Sequence, residues 1–144
     1  MKKEGYTLIQ PNPNLFTFVS VGKKGEILKG VFFEDIGDDV YNLALVDYDP
    51  ISKQWSDEVV SDNGDILKIM VTVVDIIFHF LNKNHTKIVY FKGNSVIRQK
   101  LYNRIIQNYL VELSDEFVVW GNNENEREIV LQGKKYQSFY IYKK

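Results

Sequence analysis

The sequence predicts a single α+β domain with a largely antiparallel, strongly twisted sheet and two main helices. Segments rich in β-branched and aromatic residues alternate with Gly- and Asp-containing turns near both ends of the chain. Two longer segments with helical periodicity lie between them. The chain has 144 residues, 44 % of them hydrophobic, which is enough for one hydrophobic core. The predicted order is βββ(β)αβαβββ, with no linker between residues 1 and 144.

The first part of the chain predicts an antiparallel meander. Its strands are expected at 15–21, 27–34 and 41–48, with Gly-Lys-Lys-Gly and Gly-Asp-Asp turns between them. Asp49-Pro50 then interrupts the pattern. Residues 51–61 are either a loop or a short fourth strand around Trp55.

Residues 65–82 predict a nearly buried helix, because they contain no Gly or Pro and their polar residues recur at intervals of four and three. Those residues are Lys68, Thr72, Asp75, His79 and Asn82. Many of the apolar residues are β-branched, so packing against the sheet must stabilise the helix. The same polar stripe argues against a membrane span.

The second part of the chain predicts a strand at 87–92, an amphipathic helix from 95 to about 113 and three closing strands. The closing strands are expected at 117–120, 127–131 and 138–142. The second helix has fewer apolar rows than the first, so we expect it to be the less buried of the two.

Composition excludes several functions. The chain has no cysteine, which rules out disulfides, thiolate nucleophiles and Cys-based metal sites. A net charge of −1 argues against a broad duplex-DNA-binding surface. The first residues lack the apolar region of a secretion signal, so we expect a cytoplasmic protein.

The junction between the predicted strand at 87–92 and the second helix is the first candidate site. Ser95 is a preferred N-cap residue, and Gly93-Asn94 suits a tight turn. Lys92 and Arg98 flank the free N–H groups of the helix start, so an anion such as phosphate or carboxylate could bind there. The alternative is a capped helix with no ligand.

Two further groups of polar residues have structural alternatives of their own. Asp75 and His79 are spaced i, i+4, which suits a general base but also any polar helical stripe. Asp47 and Asp49 could bind a cation with the later carboxylates Asp57, Glu58 and Asp62. Their spacing fits no EF-hand loop, and Asp49-Pro50 is a good turn starter, so we expect no metal site.

The outward face of the second helix predicts an alternative function as a non-catalytic interaction module of regulatory or toxin–antitoxin type. Its basic and amide side chains suit nucleic acid or an acidic protein partner, although a solvated face has the same composition. These residues are Arg98, Gln99, Lys100, Asn103, Arg104, Gln107 and Asn108.

The order of elements resembles that of the GNAT acyltransferases, and Asn94 precedes the Leu101-Tyr102 pair much as an Asn precedes Leu-Tyr in that family. The resemblance implies that Tyr102 is a general acid toward the departing thiolate of coenzyme A. The pyrophosphate-binding signature of the family is replaced by Ser-Asp-Asn-Gly-Asp at 61–65, where two carboxylates would repel phosphate.

The whole chain also resembles a family of small bacterial proteins of unknown function, through the Lys-Gly-Asn-Ser run at 92–95 and the Asp-Tyr-Asp-Pro segment at 47–50. Together the two resemblances imply a degenerate acyltransferase-like domain. We expect it to bind a small anionic or acyl ligand through Lys92, Gly93, Asn94, Ser95 and Arg98.

Overall fold

The structure, a computed structural model, describes residues 4–56 and 63–144. They form one α+β domain with a mostly antiparallel sheet, which confirms the predicted fold class. Along the chain its elements are β1 (Ile9–Asn12), β2 (Leu15–Gly22), β3 (Gly25–Asp35), β4 (Val40–Asp49), β5 (Gln54–Ser56), α1 (Ile66–Lys83), β6 (Ile88–Phe91), α2 (Val96–Asn108), α3 (Leu110–Glu116), β7 (Phe117–Asn123), β8 (Glu126–Ile129) and β9 (Ser138–Lys143).

The sheet joins the meander to the closing strands through one parallel pair. Its strand order is β1-β2-β3-β4-β6-β9-β7-β8, and β5 pairs with β4 off this path. β4 and β6 are parallel, and every other pair that the structure describes is antiparallel. Helix α1 connects the two parallel strands, as a parallel pair requires a crossover connection.

One face of the sheet carries the core. Inward side chains alternate along each strand, and α1 lies over them, with the Phe80 ring stacked on Phe33 at a centroid distance of 3.9 Å. Helix α1 buries ten of its 18 residues, whereas α2 buries four of its 13. Tertiary packing therefore overrides the weak helix propensity of α1, and the predicted difference in burial between the two helices is confirmed.

The predicted second helix is interrupted at Tyr109. The backbone of Tyr109 leaves helical geometry, ends α2 and begins α3. Its N–H still donates to the Ile105 carbonyl, so the last turn of α2 is closed before the chain bends. Ile97, an apolar residue in the first turn of α2, is exposed.

The pattern did not predict β1, an exposed strand at the edge of the sheet. None of its four residues is buried, so no alternation of apolar and polar residues reveals it. Pro11 lies within it, which is compatible with an edge strand that needs no ladder bond on one side. The sequence allowed either a loop or a short fourth strand at 51–61. Gln54–Ser56 form a short strand that pairs with β4, and residues 57–61 lie outside the described ranges.

Candidate functional site

A gap opens along one edge of β4. β6 pairs with β4 from Val40 to Leu43, and β5 pairs with it from Asp47 to Asp49. β3 already occupies the other edge of β4 at Asp47, so β5 and β6 share the same edge. Among the described residues, no strand covers residues 44–46 on that edge. Backbone groups there need partners other than a neighbouring strand.

Tyr102 fills part of this gap from α2. Its side chain is 2 % exposed, and its ring stacks on Phe91, the last residue of β6, at a centroid distance of 4.0 Å. The hydroxyl oxygen of Tyr102 accepts a hydrogen bond of 3.3 Å from the Leu45 N–H. A phenol can accept one bond and donate another, so this contact fixes the position of the oxygen without excluding proton transfer from it.

A cleft of about 260 Å³ lies where β4 and β6 separate. Four residues that the sequence singles out line it: Lys92, Gly93, Asn94 and Tyr102. The other lining residues come from the two strands: Asn42, Leu43, Ala44 and Tyr90. The structure therefore brings the proposed general acid together with the Lys-Gly-Asn run, across two separate elements.

Ser95 and Arg98 do not line this cleft. Ser95 is the N-cap of α2, and its hydroxyl accepts a hydrogen bond from the Arg98 N–H at 3.1 Å. The Arg98 side chain is only 5 % exposed, so it is packed inside the protein and does not project from an open helix end. Capping thus explains Ser95 directly.

The Gly93 N–H is also engaged. It donates to the Gln99 side-chain carbonyl at 2.6 Å, which ties the turn to the first turn of α2. A Cβ on Gly93 would lie 2.4 Å from the Gln99 nitrogen, so only glycine permits this approach. Lys92 and Asn94 are exposed, and they are the polar side chains of this turn that face solvent at the cleft.

Three of the four amide side chains of α2 contact a neighbouring chain segment and not the solvent that their polarity predicts, whereas Asn108 is exposed. Gln99, Asn103 and Gln107, spaced i, i+4, i+8, form a row against the segment 131–136. Asn103 bonds both the N–H and the carbonyl of Tyr136, and Gln107 bonds the loop at three backbone groups. These amides bond the backbone of that largely exposed segment, so they are not available to read nucleic-acid bases.

The acidic segment near residue 47 has two structural roles. Asp47 forms an ion pair with Lys29 at 2.7 Å, and both side chains are nearly inaccessible. Asp49 accepts the Ile51 N–H and the Ser52 hydroxyl, which lowers the pKa of Asp49 below its ordinary value. The turn-starting interpretation of Asp49 therefore agrees with its contacts.

The remaining candidates bring no further groups together. Asp57, Glu58 and Asp62 lie outside the described residues. Within 4–56 and 63–144, no three acidic or histidine side chains cluster closely enough to hold a metal ion. Asp75 and His79 are both exposed on α1.

A hydrogen-bond cluster at the start of α1 had no signal in the sequence. One Asp65 carboxylate oxygen accepts hydrogen bonds from the Tyr6 and Ser20 hydroxyls, each at 2.5 Å. Burial, together with the Asp65 bond, raises the pKa of Tyr6. The cluster ties the N-terminal segment and β2 to α1, and its members are too far apart in sequence for any spacing rule to detect.

A second cluster fixes the β8–β9 connection. Glu128 accepts hydrogen bonds from Lys134 at 2.6 Å and from the Tyr136 hydroxyl at 2.8 Å. The Lys134 bond, followed by the Tyr136 bond, lowers the pKa of Glu128. The Tyr136 ring lies against Gly121 of β7, where a Cβ would be 2.3 Å from a ring carbon.

Fold and cleft together define a small α+β domain with one parallel strand pair and a cleft at the point where that pair separates. Comparison with protein families matches residues 2–144 to DUF6934, a family of unknown function, and the chain belongs to this family. Neither the curated proteins nor the solved structures gave a match. Among the described residues, no helix has the length and apolar character needed to cross a membrane.

Proposed function

We propose that the protein binds a small anionic or acyl ligand in the cleft between β4 and β6, as a degenerate acyltransferase-like domain. One observation carries this proposal: the Tyr102 hydroxyl lies in the unpaired gap of β4, in the same cleft as Lys92 and Asn94. A proton donor, a cation and an amide then face one space beside a stretch of β4 that no described strand covers on this edge. That is the donor set that a carboxylate, phosphate or thioester carbonyl would use.

The resemblance to GNAT acyltransferases supports the acyl part of the proposal. A strand, a turn containing Asn94 and a helix containing Tyr102 follow one another in the order that the resemblance requires. In acyl transfer, the acceptor attacks the thioester carbonyl and the carbon–sulfur bond breaks. Tyr102 would then give its phenol proton to the leaving sulfur.

The start of α1 supports a small ligand over a complete coenzyme A. Asp65 stands at the N-cap position of α1, and its carboxylate accepts two hydroxyl hydrogen bonds. A pyrophosphate placed at this helix end would meet that negative charge. We therefore assign recognition to the cleft side chains Lys92 and Asn94, with Gly93, Ser95 and Arg98 shaping the turn that holds them.

Isothermal titration with acetyl-coenzyme A, coenzyme A, acetyl phosphate and inorganic phosphate tests this proposal. We expect at least one to bind, and a ligand at a hundred times its dissociation constant should stabilise the fold by about 2.7 kcal/mol. Lys92→Ala should weaken binding. Lys100→Ala, which removes an exposed lysine of α2 outside the cleft lining, is the matched control.

Two results would refute the proposal. The first is that none of the four compounds binds. The second is that Lys92→Ala and Lys100→Ala bind equally well. If a ligand is turned over, Tyr102→Phe should lower kcat more than it raises KM, because the proton is needed in the transition state.

A further inference from the structure

The face of the sheet opposite the core carries no helix among the described residues. Inward residues of β6, β9 and β7 belong to the core, so the alternate residues of these strands project from the other face. Most of these alternate residues are half-buried, and several are aromatic. We call this surface the outer face of β4, β6, β9, β7 and β8.

Three aromatic side chains form a row across the outer face. Tyr90 of β6 pairs with Tyr140 of β9, and Tyr140 pairs with Trp120 of β7, so all three stand side by side in register. The Tyr90 and Tyr140 rings are 5.0 Å apart at their centroids. Neighbouring strands lie ~4.8 Å apart, so the row spans roughly 10 Å. Trp120 donates its indole N–H to the Tyr142 hydroxyl at 3.0 Å, which fixes the ring.

A polar row with two cations runs beside the aromatic row. The Arg127 guanidinium lies 4.8 Å from the centre of the Tyr140 ring. Its Nε donates to the Asn122 side chain at 3.0 Å, so the group is held over the sheet. Lys92 extends from the end of β6 beside Tyr90. In the described part of these five strands, each carboxylate either points to the core side of the sheet or lies at a strand end. None belongs to the aromatic row or to the polar row.

We propose that the outer face binds single-stranded nucleic acid. Flat aromatic side chains in register on a sheet stack successive bases, while nearby cations contact the phosphates. Arg127 can contribute through its planar guanidinium, either to a phosphate or by stacking. This proposal shares Tyr90 and Lys92 with the β4–β6 cleft, so its test uses Tyr140 and Arg127, which are not among the residues that line that cleft.

Charge favours nucleic acid over a second copy of this chain. If two copies met through these two rows, Lys92 and Arg127 of one copy would approach those of the other, and no carboxylate of the rows would face them. Like charges brought together in an interface cost free energy and prevent association. A polyanion with planar bases complements both rows at once.

Fluorescence anisotropy with labelled twelve-nucleotide poly-U and poly-dT tests the proposal, with a duplex of equal length as comparison. We expect binding of the single strands at low salt. Tyr140→Ala should weaken it about 5- to 150-fold, the equivalent of about 1–3 kcal/mol for one stacked base. Tyr140→Phe keeps the ring and should bind like the wild type. Lys135→Ala, in the exposed β8–β9 connection, is the control.

Salt dependence gives a second readout. Two phosphate contacts predict a slope of about −1.4 for log K against log salt concentration, and Arg127→Ala should reduce its size by about 0.7. Both Tyr140→Ala and Arg127→Ala should still bind any ligand of the β4–β6 cleft. Retained cleft binding separates failure of this proposal from failure of the proposed acyl site, and circular dichroism and the urea-unfolding midpoint show that the variants are folded whether or not the cleft binds a ligand.

Three results would overturn the proposal. One is absence of single-strand binding at low salt. Another is equal binding by the wild type and Tyr140→Ala. The third is a dimer, seen by sedimentation without nucleic acid, that Tyr140→Ala dissociates, because the face would then be an interface between two copies.

Discussion

Replacing Tyr102 with Phe removes the hydroxyl that covers the gap in β4 while it keeps the aromatic ring. The ring should remain stacked on Phe91, because the 4.0 Å stack involves no polar atom. The loss falls on the Leu45 N–H, whose 3.3 Å hydrogen bond to the Tyr102 oxygen disappears. Leu45 is itself 2 % exposed, so water does not readily replace that partner.

The magnitude follows from leaving a buried donor without its acceptor, which costs about 1–3 kcal/mol. The long donor–acceptor distance places the expected loss in the lower half of this range. For a chain of this size each kcal/mol lowers the melting temperature by about 2–4 °C. Chemical denaturation, followed by tryptophan fluorescence and circular dichroism, should therefore show a lower midpoint with an unchanged slope.

Tyr90→Phe is the matched control, because Tyr90 lines the same cleft but is only half-buried. Its substitution should change stability by less than about 0.5 kcal/mol. Equal stability of Tyr102→Phe and Tyr90→Phe would refute the reasoning. It would mean that the Leu45 N–H has another partner and that Tyr102 does not hold the gap.

Three other substitutions test the packing and the charges of the fold. Gly121→Ala places a methyl 2.3 Å from a Tyr136 ring carbon and should destabilise the protein by about 1–3 kcal/mol in urea unfolding; an unchanged midpoint would contradict that contact. Asp47→Ala leaves the Lys29 ammonium buried and should lower the free energy of unfolding by about 3–5 kcal/mol. The double variant Asp47→Leu with Lys29→Met should recover most of that stability. Equal losses in the single and the double variant would be inconsistent with a buried ion pair. Folding lowers the pKa of Glu128, so its stabilising effect is present above the unfolded pKa and is lost as the pH falls below about 4.3. Unfolding curves at several pH values should therefore show that Glu128→Gln loses less stability in acid than the wild type does. The same pH dependence of stability in both proteins would contradict this effect.

The elements of the fold were predictable where the chain has strong periodicity. The stripe of polar residues on α1 identified the helix, although β-branched residues such as Val71 and Val73 oppose it, because the periodicity reflects the packing that stabilises it. β1 was not predictable, since an exposed edge strand carries no buried face. The break at Tyr109 was also missed, because apolar residues continue on both sides of it.

The candidate site was predictable only in part. The Lys-Gly-Asn-Ser run and Tyr102 could be selected because they follow one another around a single strand-to-helix junction. Leu45, which binds the Tyr102 hydroxyl, comes from β4, 57 residues earlier in the chain. A contact of that range depends on the sheet order, and no local spacing encodes it.

The helix face shows why polarity alone does not predict exposure. Gln99, Asn103 and Gln107 have the composition of a solvated surface, yet their amides bond backbone groups of residues 131–136. A loop that crosses a helix needs donors and acceptors for its own peptide groups. Amide side chains supply both donors and acceptors. The spacing of four between these residues therefore corresponds to a contact with the loop and not to a recognition surface.

A two-dimensional ¹⁵N–¹H spectrum recorded during titration with acetyl phosphate, a small acyl anion, would test most directly whether the separation of β4 and β6 creates a ligand site. If it does, the largest shifts should fall on the amides of Ala44, Leu45, Gly93 and Asn94, and they should diminish in Lys92→Ala. Shifts confined to other parts of the domain, or a spectrum that does not change at saturating ligand, would contradict it.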